Sequence, residues 1–180
     1  MKYWRVIVFA VVACAQLAVP GSLIWKREHT LRQGSVWKFR TAPVDPVDVF
    51  RGRYVALHFD VETQGITPPA NTSSGDTVFI ALKQNADGFA EIDQISATKP
   101  DRDDFMAAQL SGNTISLPFD KYWVTERDAP AAETAYRNLS RRGQQNAYVS
   151  VRVFRGDAAI EQLYLDNQPL GEYLRAHPAK

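Results

Sequence analysis

The chain has 180 residues, 45% hydrophobic and 23% charged, with 21 Lys and Arg against 20 Asp and Glu. That composition describes a packed globular protein and excludes a disordered one. The charges are balanced and form no basic stripe, which excludes nucleic acid as the partner.

The first element is an uncharged run from Val6 to Trp25, with Lys2 and Arg5 ahead of it. A helix rises about 1.5 Å per residue, so ~20 apolar residues cross a hydrocarbon core ~30 Å thick. The run predicts a transmembrane signal anchor at residues 6–25, embedded in membrane lipid, behind a short cytoplasmic N-terminus at 1–5. Trp4 and Trp25 mark its two ends, where amphipathic rings favour the interface. Gln16 and Pro20 are tolerable inside a spanning helix. Two other readings stay open. One is a cleaved signal peptide with Ala13-Cys14-Ala15 as the small-residue site; the other is a lipoprotein signal in which Val11-Val12-Ala13-Cys14 is the lipidation box. Both need the apolar core to end near Ala13, whereas Leu17, Ala18, Val19, Leu23, Ile24 and Trp25 continue it. Lys26, Arg27 and Arg32 follow the run, so the count of positive charges does not decide the side. The apolar start behind Lys2 and Arg5 reads as an export signal. The expectation is a single-pass protein of the inner membrane with its domain periplasmic or otherwise extracytoplasmic.

Residues 26–34 predict a juxtamembrane helix stopped by Gly34. Residues 35–175 predict a β-rich domain, and 176–180 a tail. Cys14, inside the apolar run, is the only cysteine, so this domain has no disulfide and no thiolate metal site. His29, His58 and His177 lack ligand spacing, and no metal or cofactor is expected.

Ser35 to Thr41 alternates with strand period, and Pro43-Val44-Asp45-Pro46 breaks it. Arg53 to Thr63 is the longest strand signal: Val55, Leu57, Phe59 and Val61 share one face, Tyr54, Ala56, His58 and Asp60 the other. Gly65 to Asp76 reads as a loop. Two hairpins follow. Thr77–Gln84 and Phe89–Ser96 flank Asn85-Ala86-Asp87-Gly88; Tyr148–Phe154 and Ala158–Leu165 flank Arg155-Gly156-Asp157. Thr114 to Val124 predicts a strand interrupted at Pro118. Ala131 to Arg142 predicts a helix capped by Asp128, with Pro130 near its first turn, Gly143 closing it, and Glu133 and Arg137 spaced as an i,i+4 pair. Asp166-Asn167-Gln168-Pro169 turns the chain into Leu170–Leu174. The fold expected is mainly β: an N-terminal transmembrane helix, then an antiparallel β-sandwich or small barrel with one or two short helices.

The stretch from Pro43 to Phe59 contains Gly52-Arg53-Tyr54-Val55-Ala56-Leu57-His58-Phe59 after Pro-Val-Asp-Pro and Phe-Arg-Gly. It resembles the GDYxxLxY family, bacterial membrane-anchored proteins of unknown function. Gly, Tyr and Leu of the motif are kept; Arg53 stands for its Asp and Phe59 for its final Tyr. Tyr122-Trp123-Val124-Thr125-Glu126, with Glu133 downstream, is similar to a later family block. So is the start, where Gln16-Leu17 and Pro20 precede Lys26-Arg27-Glu28. The resemblance implies a partner, a multi-pass membrane protein encoded nearby, and marks Gly52, Arg53, Tyr54, Leu57 and Phe59 as binding or structural positions.

Chemistry is sparse. Tyr54 and His58 would share a strand face and pass protons, or simply line it. Arg53 would grip an acid or pair with Asp45 or Asp48. Glu126 and Glu133 are the carboxylate pair that would divide acid and base roles if their surroundings separated their pKa values. Asp101-Arg102-Asp103-Asp104 gathers oxygen ligands but lacks the glycine bend of a calcium loop. Ser150 has no partner at nucleophile spacing. No phosphate-cradling loop or nucleophile elbow is present. The expected function is an accessory or binding module for a membrane or envelope partner. The rivals are a hydrolase-like enzyme using Glu126 and Glu133, and a structural spacer.

Overall fold

A computed structural model describes residues 2–42, 54–140 and 146–177. Helix α1 (Lys2–Gln33) runs unbroken through Pro20. The sequence predicts that the helix continues past the span through residues 26–33 to a stop at Gly34, and the structure has one helix over the whole stretch. Nothing after Trp25 breaks it, and Glu28 and Arg32 support its last turns with an i,i+4 pair at 2.8 Å. Its apolar part is long enough to cross a membrane, and none of that stretch is buried.

The last turns of α1 are built into the domain. They rest on β8 (Ala147–Phe154) and β9 (Asp157–Leu165). Lys26 Nζ lies 2.7 Å from the Asp157 carboxylate. The His29 ring stacks on Trp25 and meets the edge of Phe154. Thr30 is buried, with its hydroxyl turned back onto the Lys26 carbonyl at 3.0 Å. Gly34 ends the helix where the chain presses against β8. A Cβ there would lie 2.6 Å from the Thr30 carbonyl oxygen and 3.0 Å from the Val153 nitrogen.

Beyond α1 the chain forms antiparallel sheets that include a curled half-barrel. One four-stranded sheet has the order β1 (Ser35–Arg40), β8, β9, β10 (Gln168–Pro169). A second has the order β4 (Ala90–Ser96), β3 (Thr77–Gln84), β5 (Phe105–Ser111), β6 (Thr114–Ser116). A third, two-stranded ribbon pairs β2 (Tyr54–Ala56) with β7 (Lys121–Trp123). Among the described residues, three short helices complete the fold: α2 (Asp60–Thr63), α3 (Ala129–Leu139) and α4 (Leu170–Ala176). The core fills from the inward faces of both larger sheets, including Ile80, Met106, Val149, Val151 and Leu163.

Both expected hairpins form. The β8–β9 turn places Arg155 and Gly156 at φ 48° and 100°, the left-handed pair that twists with the strands. That turn also ties the two larger sheets together. The Gly156 N–H donates to the Phe105 carbonyl at 2.9 Å, and the Arg155 N–H to the Asp103 carbonyl at 2.7 Å. The Arg155 guanidinium pairs with the Asp103 carboxylate at 2.7 Å.

Four elements differ from expectation. The Arg53–Thr63 strand is short: Arg53 lies outside the described residues, β2 stops at Ala56, and the chain turns into α2 at Asp60. The Thr114–Val124 strand splits into β6 and β7 around Pro118. Strand β5 answers to no predicted element. On α3, the Asp128 carboxylate does not cap the helix but accepts the Thr125 hydroxyl at 2.7 Å. Ser140 closes the helix, and Gly143 lies outside the described residues.

Gly34→Ala is expected to force the end of α1 away from β8, at a cost of about 1–3 kcal/mol. Thermal unfolding of the full chain in detergent micelles checks this; an unchanged transition contradicts the close fit.

Candidate functional site

The segment from Tyr54 to Thr63 carries the described part of the motif, and its side chains divide cleanly. Val55, Leu57, Phe59 and Val61 are all buried, as the alternation predicts. Leu57 packs in the core, and Phe59 forms an edge-to-face trio with Phe39 and Phe119, centroids 5.2 to 6.0 Å apart. These two motif positions are structural.

The backbone of the segment is shared among three neighbours. Tyr54 to Ala56 pair with β7, and the Leu57 N–H continues to the Asp120 carbonyl at 2.7 Å. Phe59 bridges to Thr41 at the end of β1, and the Ala42 N–H donates to the His58 carbonyl at 2.8 Å. Glu62 makes the third link: one carboxylate oxygen accepts the Leu117 N–H at 2.8 Å, the other the Phe59 N–H at 3.2 Å. The second bond is half of a capping box and explains why the chain turns helical at Asp60. Sequence reasoning missed Glu62; its position three residues after Phe59 was the available signal.

Polar groups gather where this segment meets β1 and α3. Asp60 faces Arg40, and burial raises its pKa although the guanidinium works the other way. The buried Tyr136 hydroxyl lies among Thr41, Ser140 and the His58 carbonyl without a well-aligned hydrogen bond. Burial pushes its pKa up to about 12, so it stays a phenol. Burial also raises the Glu62 pKa, against the pull of its two N–H donors.

The opposite face is open. The Tyr54 ring meets Trp123 edge-on, centroids 5.3 Å apart, and Lys121 Nζ sits 5.4 Å from the Tyr54 centroid. Trp123 is 62% exposed; Val36, at 43%, is the other exposed large hydrophobic residue of the described domain. From sequence, Tyr54 was marked as a motif position and Trp123 as part of the later family block, but their contact was not foreseen.

The other candidates are scattered. His58 is exposed, and the ring contacts of Tyr54 are with Trp123 and Lys121. Gly52, Arg53, Asp45 and Asp48 lie outside the described residues. Glu133 sits on α3 in an ion pair with Arg137, and Glu126 lies in the exposed turn before that helix. Arg102 clasps Asp104, and Asp103 is held by Arg155. Ser150 is buried in β8. Among the described residues no cluster of His, Cys, Asp and Glu is arranged to hold a metal. Two open grooves of about 420 and 430 Å³ lie elsewhere: one beside β5 and β6 near Pro118 and Asp120, the other between α3 and α4 near Tyr173 and His177. Neither is lined by Tyr54, Glu126 or Glu133.

The arrangement is therefore a stitched core segment with an aromatic outer face, on a domain fused to an apolar helix. A chain of this class is a helix-tethered, mainly β protein. The sequence model of the GDYXXLXY protein family matches residues 16–163, from within α1 to β9, and the chain belongs to that family. No curated protein and no solved structure matches it.

Two substitutions separate the roles. Phe59→Ala is expected to cost about 3–5 kcal/mol by emptying the centre of the aromatic trio, read as a loss of midpoint in denaturant unfolding. Glu62→Gln turns an amide NH2 towards one of two backbone donors and is expected to cost about 1–2 kcal/mol. The folded chain holds the Glu62 proton to higher pH than the unfolded chain does. Stability therefore falls as pH rises from the ordinary carboxylate range through the raised pKa. Unfolding midpoints across that range should slope less in Glu62→Gln than in the unaltered chain.

Proposed function

We propose that this protein is a single-pass membrane accessory module whose displayed domain docks a membrane or envelope partner through the Tyr54–Trp123–Lys121 face. The observation that carries the reading is Trp123: a tryptophan mostly open to solvent, set on the motif tyrosine. Large exposed apolar side chains beside a cation are a common docking chemistry. The anchor supports the reading in a second way. With α1 continuous into the domain, the docking face stands at a set height above the bilayer, which raises its local concentration near a membrane partner. The domain lies outside the cytoplasm, in the periplasm, with Lys2 and Arg5 on the inner side of the cytoplasmic membrane.

A photo-crosslinking residue at Lys121, in native membranes, is expected to give one discrete protein adduct. Trp123→Ala should cut its yield at least tenfold, as loss of a binding hot spot does, while leaving thermal unfolding unchanged because the ring is exposed. Adducts with lipid alone, or a yield indifferent to Trp123, would refute the docking face. A reporter fused at Lys180 tests the side: activity confined to the cytoplasm overturns the periplasmic placement.

A further inference from the structure

We infer that α1 pairs, inside the bilayer, with α1 of a second copy of this chain through the side-chain amide of Gln16. This rests on the reading of α1 as a membrane span and adds a partner to it. Gln16 lies within one residue of the midpoint of the uncharged run from Val6 to Trp25. Its side chain is exposed and, among the described residues, has no hydrogen-bond partner. At that depth the lipid headgroups are ~15 Å away, beyond the reach of a glutamine side chain, and water is absent.

A second unpaired group lies at the same level. Pro20 stands four residues on, inside the helix, and has no N–H to give the Gln16 carbonyl. The helix therefore presents an amide and a freed carbonyl together, in a medium that satisfies neither. Another polar group within the membrane must do so.

A second copy fits this need. A primary amide is both donor and acceptor, so two glutamines satisfy each other. A two-fold axis along the membrane normal brings the two Gln16 residues to one depth without further adjustment. The span has no charged side chain to repel its image. Val12, Ala13 and Val19, three or four residues away and on the same face, are compact enough to let the helices approach. The domain does not obstruct the contact: it holds α1 at Lys26, His29 and Thr30, more than two turns beyond Gln16. Cys14, two residues before Gln16, points to the other side of the helix.

The test uses the full-length chain in native membranes, oxidised with copper phenanthroline and run on a non-reducing gel. A Val12→Cys, Cys14→Ser chain is expected to crosslink to a dimer, and the unaltered chain, through Cys14, is not. Adding Gln16→Leu should reduce the dimer about tenfold, on the scale of ~1.4 kcal/mol, while Gln16→Asn keeps most of it. No dimer, a dimer indifferent to Gln16→Leu, preferential crosslinking through Cys14, or adducts only with a different protein would each overturn the inference. Carbonate extraction separates the two ideas: release of the chain into the soluble fraction defeats the membrane span itself, whereas a retained chain that stays monomeric defeats only the pairing.

Discussion

The structure depends on how Tyr54 to Thr63 is satisfied. A strand has one in-sheet partner on each edge. This segment instead gives its backbone to β7, then to the end of β1, then through Glu62 to the chain leaving β6. Its helical end, α2, touches strands of both larger sheets. The segment's apolar side chains are buried in the core, with Phe59, Phe39 and Phe119 in mutual edge-to-face contact. A segment with three backbone partners and an unbroken buried face tolerates little change, because a one-residue slip would turn every inward side chain out. Motif positions Leu57 and Phe59 answer to that geometry. Tyr54, at the mouth of the segment, points away from it and is free to serve another purpose.

The second constraint lies at the membrane end. Many tethered domains hang from a polar linker, and their orientation is then an average. Here the helix passes directly into β-structure: Lys26, His29 and Gly34 each make a specific contact with the β8–β9 hairpin, and Thr30 is buried at the junction. The tip of that hairpin is bound in turn to the start of β5 through Arg155, Gly156 and Asp103. Tilt of α1 is thus passed to one sheet directly and to the other through that turn, among other contacts. A device of this kind holds a surface at a chosen angle, which suits docking better than capture at a distance.

Most of this was legible from residues, and the illegible parts share a cause. The alternation of Val55, Leu57, Phe59 and Val61 predicted the buried face because burial follows side-chain period whether or not the backbone stays extended. It did not predict where the strand ends, since the turn at Asp60 is set by a side chain, Glu62, reaching back to the Phe59 N–H. Strand β5 was invisible because Met106, Ala107, Ala108, Gln109 and Leu110 favour helix locally, and only pairing with β3 and β6 makes them extended. The hairpins were legible because Gly88 and Gly156 occupy left-handed positions that few residues tolerate. For the site, the sequence marked Tyr54 in one family block and Trp123 in another, but not that they meet. Trp123 sits in an aromatic run, yet it is 62% exposed, on a ribbon that has two strands among the described residues.

Two side chains stand out as poorly served by this chain alone. Trp123 leaves a large apolar surface in water, and Gln16 leaves a polar amide in a segment suited to lipid. Each is the mirror of the other: an apolar group in a polar medium, a polar group in an apolar one. They lie on opposite sides of the junction that fixes the domain to the helix. If that junction is as stiff as its contacts imply, pairing at Gln16 also sets the angle between two Trp123 faces. A partner meeting both faces would then bind with the gain of a second site at high effective concentration. On these two proposals the intramembrane contact and the displayed face would act together, with the β8–β9 hairpin against α1 as the element that couples them.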